Sequence, residues 1–216
     1  MSWQPEGNFY DKYNSKNPLA RRMMAGFLRA FDDLCARAGV RTAYEAGCGE
    51  GHLSFRMARR GITVNASDIS ARLVEEANLQ ALTDGLSARF ECASIYDLTA
   101  QNANCELAVC CEVLEHLEDP DAALQTLANI ASPYLLTSVP REPLWRVLNM
   151  ARGSYWGQWG NTPGHINHWS TSGFLKFLRT RFEVLAVRTP LPWTMALCKV
   201  RSRAPSLPVD DIRLAS

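Results

Sequence analysis

Residues 44–52 read Tyr44-Glu45-Ala46-Gly47-Cys48-Gly49-Glu50-Gly51-His52. The stretch begins inside a short apolar run over 42–46 and leads into a helical pattern over 52–60 closed by Gly61. Glycines at alternate positions between a strand and a helix let backbone come close to a ligand. The place is the strand's carboxyl end, where open α/β sheets bind ligands.

The alternation continues outward. Residues 62–67 read as a strand, 70–82 as a helix with Ser70 as N-cap, and 88–92 and 107–111 as strands. Asp119 and Pro120 open a helix over 120–130, and 134–139 is a further strand. Upstream, Leu19, Met23, Phe27, Leu28, Phe31 and Leu34 recur at helical spacing, predicting a helix over 18–38 with Pro18 in its first turn and Gly39 as its stop. A glycine- and tryptophan-rich stretch fills 140–169. It is followed by a helix over 172–180 and strands over 182–187 and 195–200, joined through Thr189-Pro190-Leu191-Pro192-Trp193 as an antiparallel hairpin at the sheet edge.

Strands alternating with helices mean βαβ units. The expected fold is α/β: a doubly wound, mostly parallel seven-stranded sheet of Rossmann-like type, with an antiparallel C-terminal hairpin and an aromatic lid insertion. The expected organisation is an N-terminal arm and helix over 1–39 covering a cofactor site, a binding core over 40–139, and a Trp-rich lid and acceptor segment over 140–170. The last helix and hairpin take 171–200, and a loose tail takes 201–216.

The 216 residues, 47% hydrophobic and 21% charged, describe one ordinary globular domain. A net charge of +1 offers no broad footprint for duplex nucleic acid. Seven cysteines with no C-x-x-C pair predict reduced thiols rather than a disulfide framework or zinc knuckle. No signal peptide is visible and no apolar stretch approaches ~20 residues, so a cytoplasmic, soluble chain is expected.

The dinucleotide pattern G-x-G-x-x-G would need glycine at 52, where His52 stands. Glu45 just before the loop would repel a pyrophosphate but attract a ligand carrying an ammonium and a sulfonium. Charge therefore favours S-adenosylmethionine over NAD. Asp68 ends the second strand about twenty residues after Gly47, the position from which an acid holds ribose hydroxyls. Ile69 follows it. Ser94-Ile95-Tyr96-Asp97 follows the third strand, where an adenine edge would lie.

These stretches, E-A-G-C-G-E-G (45–51), N-A-S-D (65–68) and C-C-E-V-L-E-H-L-E-D-P (110–120), resemble the class I S-adenosylmethionine-dependent methyltransferases over roughly residues 40–140. E-V-L-E-H together with Asn17-Pro18-Leu19 is similar to the ubiquinone-biosynthesis O-methyltransferase group. The resemblance implies that Gly47 and Gly49 pass under the methionine part, Asp68 holds the ribose, Ile95 meets the adenine, and Cys111 and Glu112 line the methyl side. Ser94 stands where many relatives have Asp. The resemblance also implies that Tyr10, Tyr13, Lys16 and Asn17 fold over the cofactor.

An oxygen acceptor must lose its proton, which calls for a base or a metal near the methyl group. The chain has four histidines: His52, His116, His165 and His168. His165 or His168 is the expected base, with His116 near it. Glu112, Glu115 and His116 lie three and four apart. If the chain turns helically there, all three share a face. With His165 they could hold a divalent ion, although a metal-free site is preferred. The same set resembles small-RNA 2′-O-methyltransferases, but RNA is the less favoured acceptor. A small molecule is preferred, with a nitrogen acceptor and an inactive cofactor-binding partner subunit as alternatives. Four of the six tryptophans, Trp145, Trp156, Trp159 and Trp169, fall in 140–169. They suit aromatic walls over an acceptor, or contact of 141–160 with a membrane surface.

Overall fold

The computed structural model describes residues 17–151 and 159–201. Helix α1 (Pro18–Ala38) starts where Asn17 Oδ1 accepts from the Leu19 and Ala20 N–H groups. It stops at Gly39, whose left-handed backbone lets its N–H reach the Cys35 carbonyl at 3.2 Å. Then follow β1 (Thr42–Ala46), α2 (His52–Ala58), β2 (Thr63–Asp68), α3 (Ala71–Thr83), β3 (Ala88–Cys92), β4 (Cys105–Cys111), α4 (Pro120–Ile130) and β5 (Ala131–Pro140). The described residues end with α5 (Leu144–Ala151), α6 (Thr171–Leu178), β6 (Phe182–Arg188) and β7 (Trp193–Val200).

The seven strands form one sheet in the order β3-β2-β1-β4-β5-β7-β6. All neighbouring pairs are parallel except β5·β7 and β6·β7. The expected hairpin is present, but its second strand inserts beside β5 and leaves β6 as the edge. Alternating strand residues divide the core. Ala43, Val64, Leu107, Val109, Leu136 and Leu197 pack with Phe27, Phe31 and Leu34 of α1 and with Leu53 and Met57 of α2. On the other face Tyr44, Ala46, Ala108, Cys110, Leu135 and Cys198 meet Leu124, Leu127 and Ile130 of α4 and Phe174 and Leu178 of α6.

The strand order reverses between β1 and β4. The loops after these two strands diverge to opposite faces, which opens a crevice at their carboxyl ends. Helix α5 lies inside the stretch expected only as a glycine- and tryptophan-rich segment. Its residues Trp145, Leu148 and Asn149, three and four apart, line the crevice. The expected aromatic enclosure is narrower than the composition suggests. Trp159 is 79% exposed. Trp169 stacks on Phe177 of α6 with ring centroids 5.5 Å apart, pointing into the core instead. Trp156, Tyr10, Tyr13 and Lys16 lie outside the described residues.

Candidate active site

The crevice widens into a cavity of about 760 Å³, within the range of small-molecule sites. One wall is backbone. After β1 the chain turns through Gly47 (φ 77°) and Gly49 (φ 51°). The Gly47 and Cys48 N–H groups both donate to the Ser67 carbonyl, at 2.8 and 2.9 Å. A Cβ on Gly47 would stand 2.5 Å from Val113 Cγ2, so this turn admits glycine for space as well as for φ.

Asp68 ties the loop to the next helix. Its Oδ2 accepts from the Gly49 N–H at 2.8 Å and its Oδ1 from the Ser70 N–H at 2.9 Å. Glu45 is buried, and its Oε2 accepts from the Ser54 hydroxyl at 2.5 Å. Burial pushes its carboxyl up to about 8, with the nearby Asp68 charge adding to the rise. Ile69, Ser94 and Ile95 line the far end, where Ser94 Oγ accepts from the Tyr96 N–H. The predicted Glu45, Gly47, Gly49, Asp68, Ile69, Ser94, Ile95, Cys111 and Glu112 all border this one cavity.

The opposite wall is made of side chains. Glu112 follows β4 with φ 60°, an unfavourable conformation for a residue with a side chain. Its Oε2 accepts from the Trp193 indole N–H at 2.5 Å and its Oε1 from the Ser138 hydroxyl at 3.0 Å. That positive φ breaks the helical turn expected from Glu112 onward. Only Leu114–His116 forms a short 3₁₀ turn. Glu112 therefore does not share a face with Glu115 and His116, which lie instead with His165. Ligand atoms of Glu115, His116 and His165 stand within 4.8 Å of one another.

Residues 164–167 are stitched to that turn. His116 Nδ1 donates to the Gly164 carbonyl at 3.0 Å, a partner that can only accept. The Ile166 and Asn167 N–H groups both donate to the Glu115 carbonyl. Asn167 Nδ2 donates to the carbonyls of Leu114 and Leu117. The result sets His165, buried, edge-on to His116 at 4.8 Å and stacked on Trp145 at 5.9 Å.

His168 goes elsewhere. It is exposed, its Nε2 pairs with Asn161 Oδ1 at 2.8 Å, and it is absent from the cavity wall. Of the two expected bases, only His165 faces the cavity. Partial burial, with Arg146 adding to it, pulls His168 below the ordinary histidine value. His52 is at the glycine-loop end, 2.8 Å from Glu50 Oε2.

Several lining residues were not singled out as site residues from the sequence: Met23, Met24 and Phe27 of α1, Asn149 and Thr162, and Trp193. Trp193 packs edge-on to Phe27 at 5.0 Å and lies 5.9 Å from Trp145. The signal for it was a tryptophan directly after the Pro190-Leu191-Pro192 turn, at the carboxyl end of its neighbour β5.

Residues 43–134 match the family model described as a methyltransferase domain. Over 122 residues the chain is 36% identical to a ubiquinone biosynthesis O-methyltransferase of Xanthomonas axonopodis pv. citri, covering 55% of this chain and 51% of that protein. Over 132 residues it is 32% identical to the protein of the same description from Idiomarina loihiensis, covering 61% and 51%. The chain thus spans about half the length of these curated relatives. Among solved structures, it superimposes on a magnesium protoporphyrin IX methyltransferase from Synechocystis PCC 6803 with bound S-adenosylhomocysteine, at TM-score 0.67 and 21% identity, covering 87% of this chain and 90% of that one. At these identities the superposition establishes the fold, a Rossmann-like methyltransferase sheet.

Proposed function

We propose that this chain, whose sheet and matched domain are those of class I methyltransferases, moves a methyl group from S-adenosylmethionine to an oxygen of a small apolar or aromatic acceptor. The observation that carries this is a single cavity with two unlike ends. One holds the glycine loop with Glu45 and Asp68, and the other holds His165 against Trp145.

The donor, when bound, supplies a positively charged sulfur whose methyl group an acceptor oxygen displaces in line. The protein's own residues do the rest. The loop at 47–49 takes the methionine part, where Glu45 offers a buried carboxylate to the ammonium group. Asp68 still has acceptor capacity beyond its two backbone bonds, which suits ribose hydroxyls. Ile69, Ser94 and Ile95 lie where the base would sit. Cys111 and Glu112 border the methyl side. His165 takes the acceptor's proton, its ring held between His116 and Trp145. Positioning of this kind is worth several orders of magnitude when it creates near-attack geometry. Apolar walls from Met23, Phe27, Trp145 and Trp193 keep water off the reacting atoms.

A second reading is favoured by the proximity of Glu115, His116 and His165. Two imidazoles and a carboxylate suit a borderline divalent ion, and the His116 Nδ1 contact with the Gly164 carbonyl orients its ring. Such an ion would lower the acceptor's pKa in place of a histidine base. The metal-free site remains the preferred reading. Activity unchanged after chelation supports His165 as base, whereas loss restored by one divalent ion supports the metal.

A small molecule suits the enclosed site better than nucleic acid. A cytoplasmic location is consistent with seven cysteines that form no disulfide. Among the described residues no helix is long and apolar enough to cross a membrane. Among the described residues of 141–160, Val147 and Trp159 are exposed large apolar side chains that a lipid surface would meet. We assign 1–39 and 140–170 to covering the donor and acceptor. The decisive experiment is calorimetry with S-adenosylhomocysteine: micromolar binding is expected, and binding of NAD or a flavin nucleotide instead would overturn the proposal.

A further inference from the structure

Three polar side chains on the acceptor wall form a closed count of donors and acceptors. Asn149 is 3% exposed. Its Nδ2 donates to the Gly160 carbonyl at 2.8 Å and to Thr162 Oγ1 at 3.1 Å. The Gly160 carbonyl can only accept, which fixes the amide orientation and uses both amide hydrogens. The Trp145 indole N–H also donates to Thr162 Oγ1, at 2.9 Å. Indole and amide N–H groups cannot accept, so both lone pairs of the Thr162 hydroxyl are taken and its hydrogen must donate elsewhere. Among the described residues no protein acceptor takes that hydrogen, and no protein donor meets Asn149 Oδ1. Both residues border the cavity, and the Thr162 carbonyl accepts from the His165 N–H at 3.1 Å, beside the candidate base.

We infer that Asn149 and Thr162 are a specificity-determining pair that offers the acceptor molecule one hydrogen-bond donor and one acceptor, side by side. The pair selects a neutral group that both gives and takes hydrogen bonds, such as a carboxamide or an alcohol, and rejects a carboxylate. A carboxylate would satisfy Thr162 but face the Asn149 carbonyl oxygen with like charge and leave it unpaired in a buried wall. Sites that hydrogen-bond a substrate group discriminate strongly against analogues that cannot complete the pairing. This deepens the methyltransferase proposal and rests on it for the name of the acceptor.

The test uses benzamide and benzoate as probes, with binding followed by tryptophan fluorescence on the full chain saturated with S-adenosylhomocysteine. Benzamide is expected to bind at least about tenfold more tightly than benzoate. Thr162→Val should erase that preference, and Thr162→Ser should keep it. S-adenosylhomocysteine affinity, read by calorimetry, should stay unchanged in both, which separates lost recognition from lost folding. Equal affinities, tighter benzoate, or no detectable binding of either probe would overturn the pair. Absence of S-adenosylhomocysteine binding, with the probes then compared on the chain alone, would instead count against the methyltransferase proposal.

Discussion

The two walls of the cavity are built in opposite ways. The donor wall is local: a nine-residue stretch, one acid at the end of the next strand, and backbone N–H groups that Ser67 and Asp68 hold in place. The acceptor wall draws Glu112 to Trp193 through side chains and Glu115 to Ile166 through backbone, both across long stretches of chain, and the surface it turns to the cavity includes the side chains of Glu112, His165, Trp145 and Trp193. Backbone geometry tolerates few substitutions. A wall of side chains can be rebuilt for a new acceptor without disturbing the donor. The comparison predicts that acceptor-wall changes alter turnover while donor affinity holds, and that donor-wall changes alter affinity first.

The largest effect is expected from His165→Ala. Removing a positioned base costs about 10²- to 10⁴-fold in kcat. S-adenosylhomocysteine affinity by calorimetry should change less than about twofold, because His165 meets His116 and Trp145 rather than the glycine loop. A comparable loss of donor binding would show that the two walls are not separable.

Next is Gly47→Ala. The new methyl would press on Val113 at a φ of 77°, a combination costing roughly 1–3 kcal/mol, or about 5- to 150-fold in donor affinity. Adding Val113→Ala removes the collision but leaves the φ cost. The double variant should therefore recover part of the affinity and not all of it. Full recovery would mean that the turn needs space alone.

The donor wall was legible because its constraints are written consecutively: alternate glycines require positive φ, and the acid arrives at a strand end fixed by period-2 patterning. The seven strands and the helices other than α5 were readable for the same reason. The acceptor wall was legible only as a composition of histidines, acids and tryptophans. Periodicity places Glu112, Glu115 and His116 on one face only if the chain is helical from 112 onward. The tertiary bonds to Trp193 and Ser138 hold Glu112 at φ 60° and override that local expectation. The stretch around Trp145 hid a short helix because its flanking glycines and prolines dominate the pattern. Thr162 carries no local signal, and Trp193 only that of a tryptophan after a proline-rich turn. Their roles come from partners far along the chain.

A smaller effect concerns Glu45. Its carboxyl sits at about 8 in the folded protein against an ordinary 4.5, chiefly because it is buried. The folded state holds the proton more tightly than the unfolded chain does. This contribution to stability is therefore complete below about 4.5 and lost as pH rises through about 8. A donor bringing an ammonium group favours the ionised carboxylate and should expel that proton. At pH 7, calorimetry in buffers of different ionisation enthalpy should show release of up to one proton on S-adenosylhomocysteine binding. Glu45→Gln should abolish the release and weaken binding by about tenfold. No release from the unmodified protein would place the ammonium group away from Glu45.

The smallest effect should come from His168→Ala. Two imidazoles three residues apart in Gly164-His165-Ile166-Asn167-His168 look interchangeable in sequence, and the surrounding hydrogen bonds separate them. Anchoring of Ile166 and Asn167 on the Glu115 carbonyl turns His165 inward, whereas His168 pairs with Asn161 at the surface. Its pKa is lowered by partial burial and by Arg146, neither of which requires a substrate. Loss of an exposed hydrogen bond costs at most about 1 kcal/mol, so kcat should stay within about threefold and the melting temperature within a few degrees. If His168→Ala instead matched His165→Ala, residues 164–168 would have to adopt another arrangement during turnover. The acceptor wall would then be movable rather than merely replaceable.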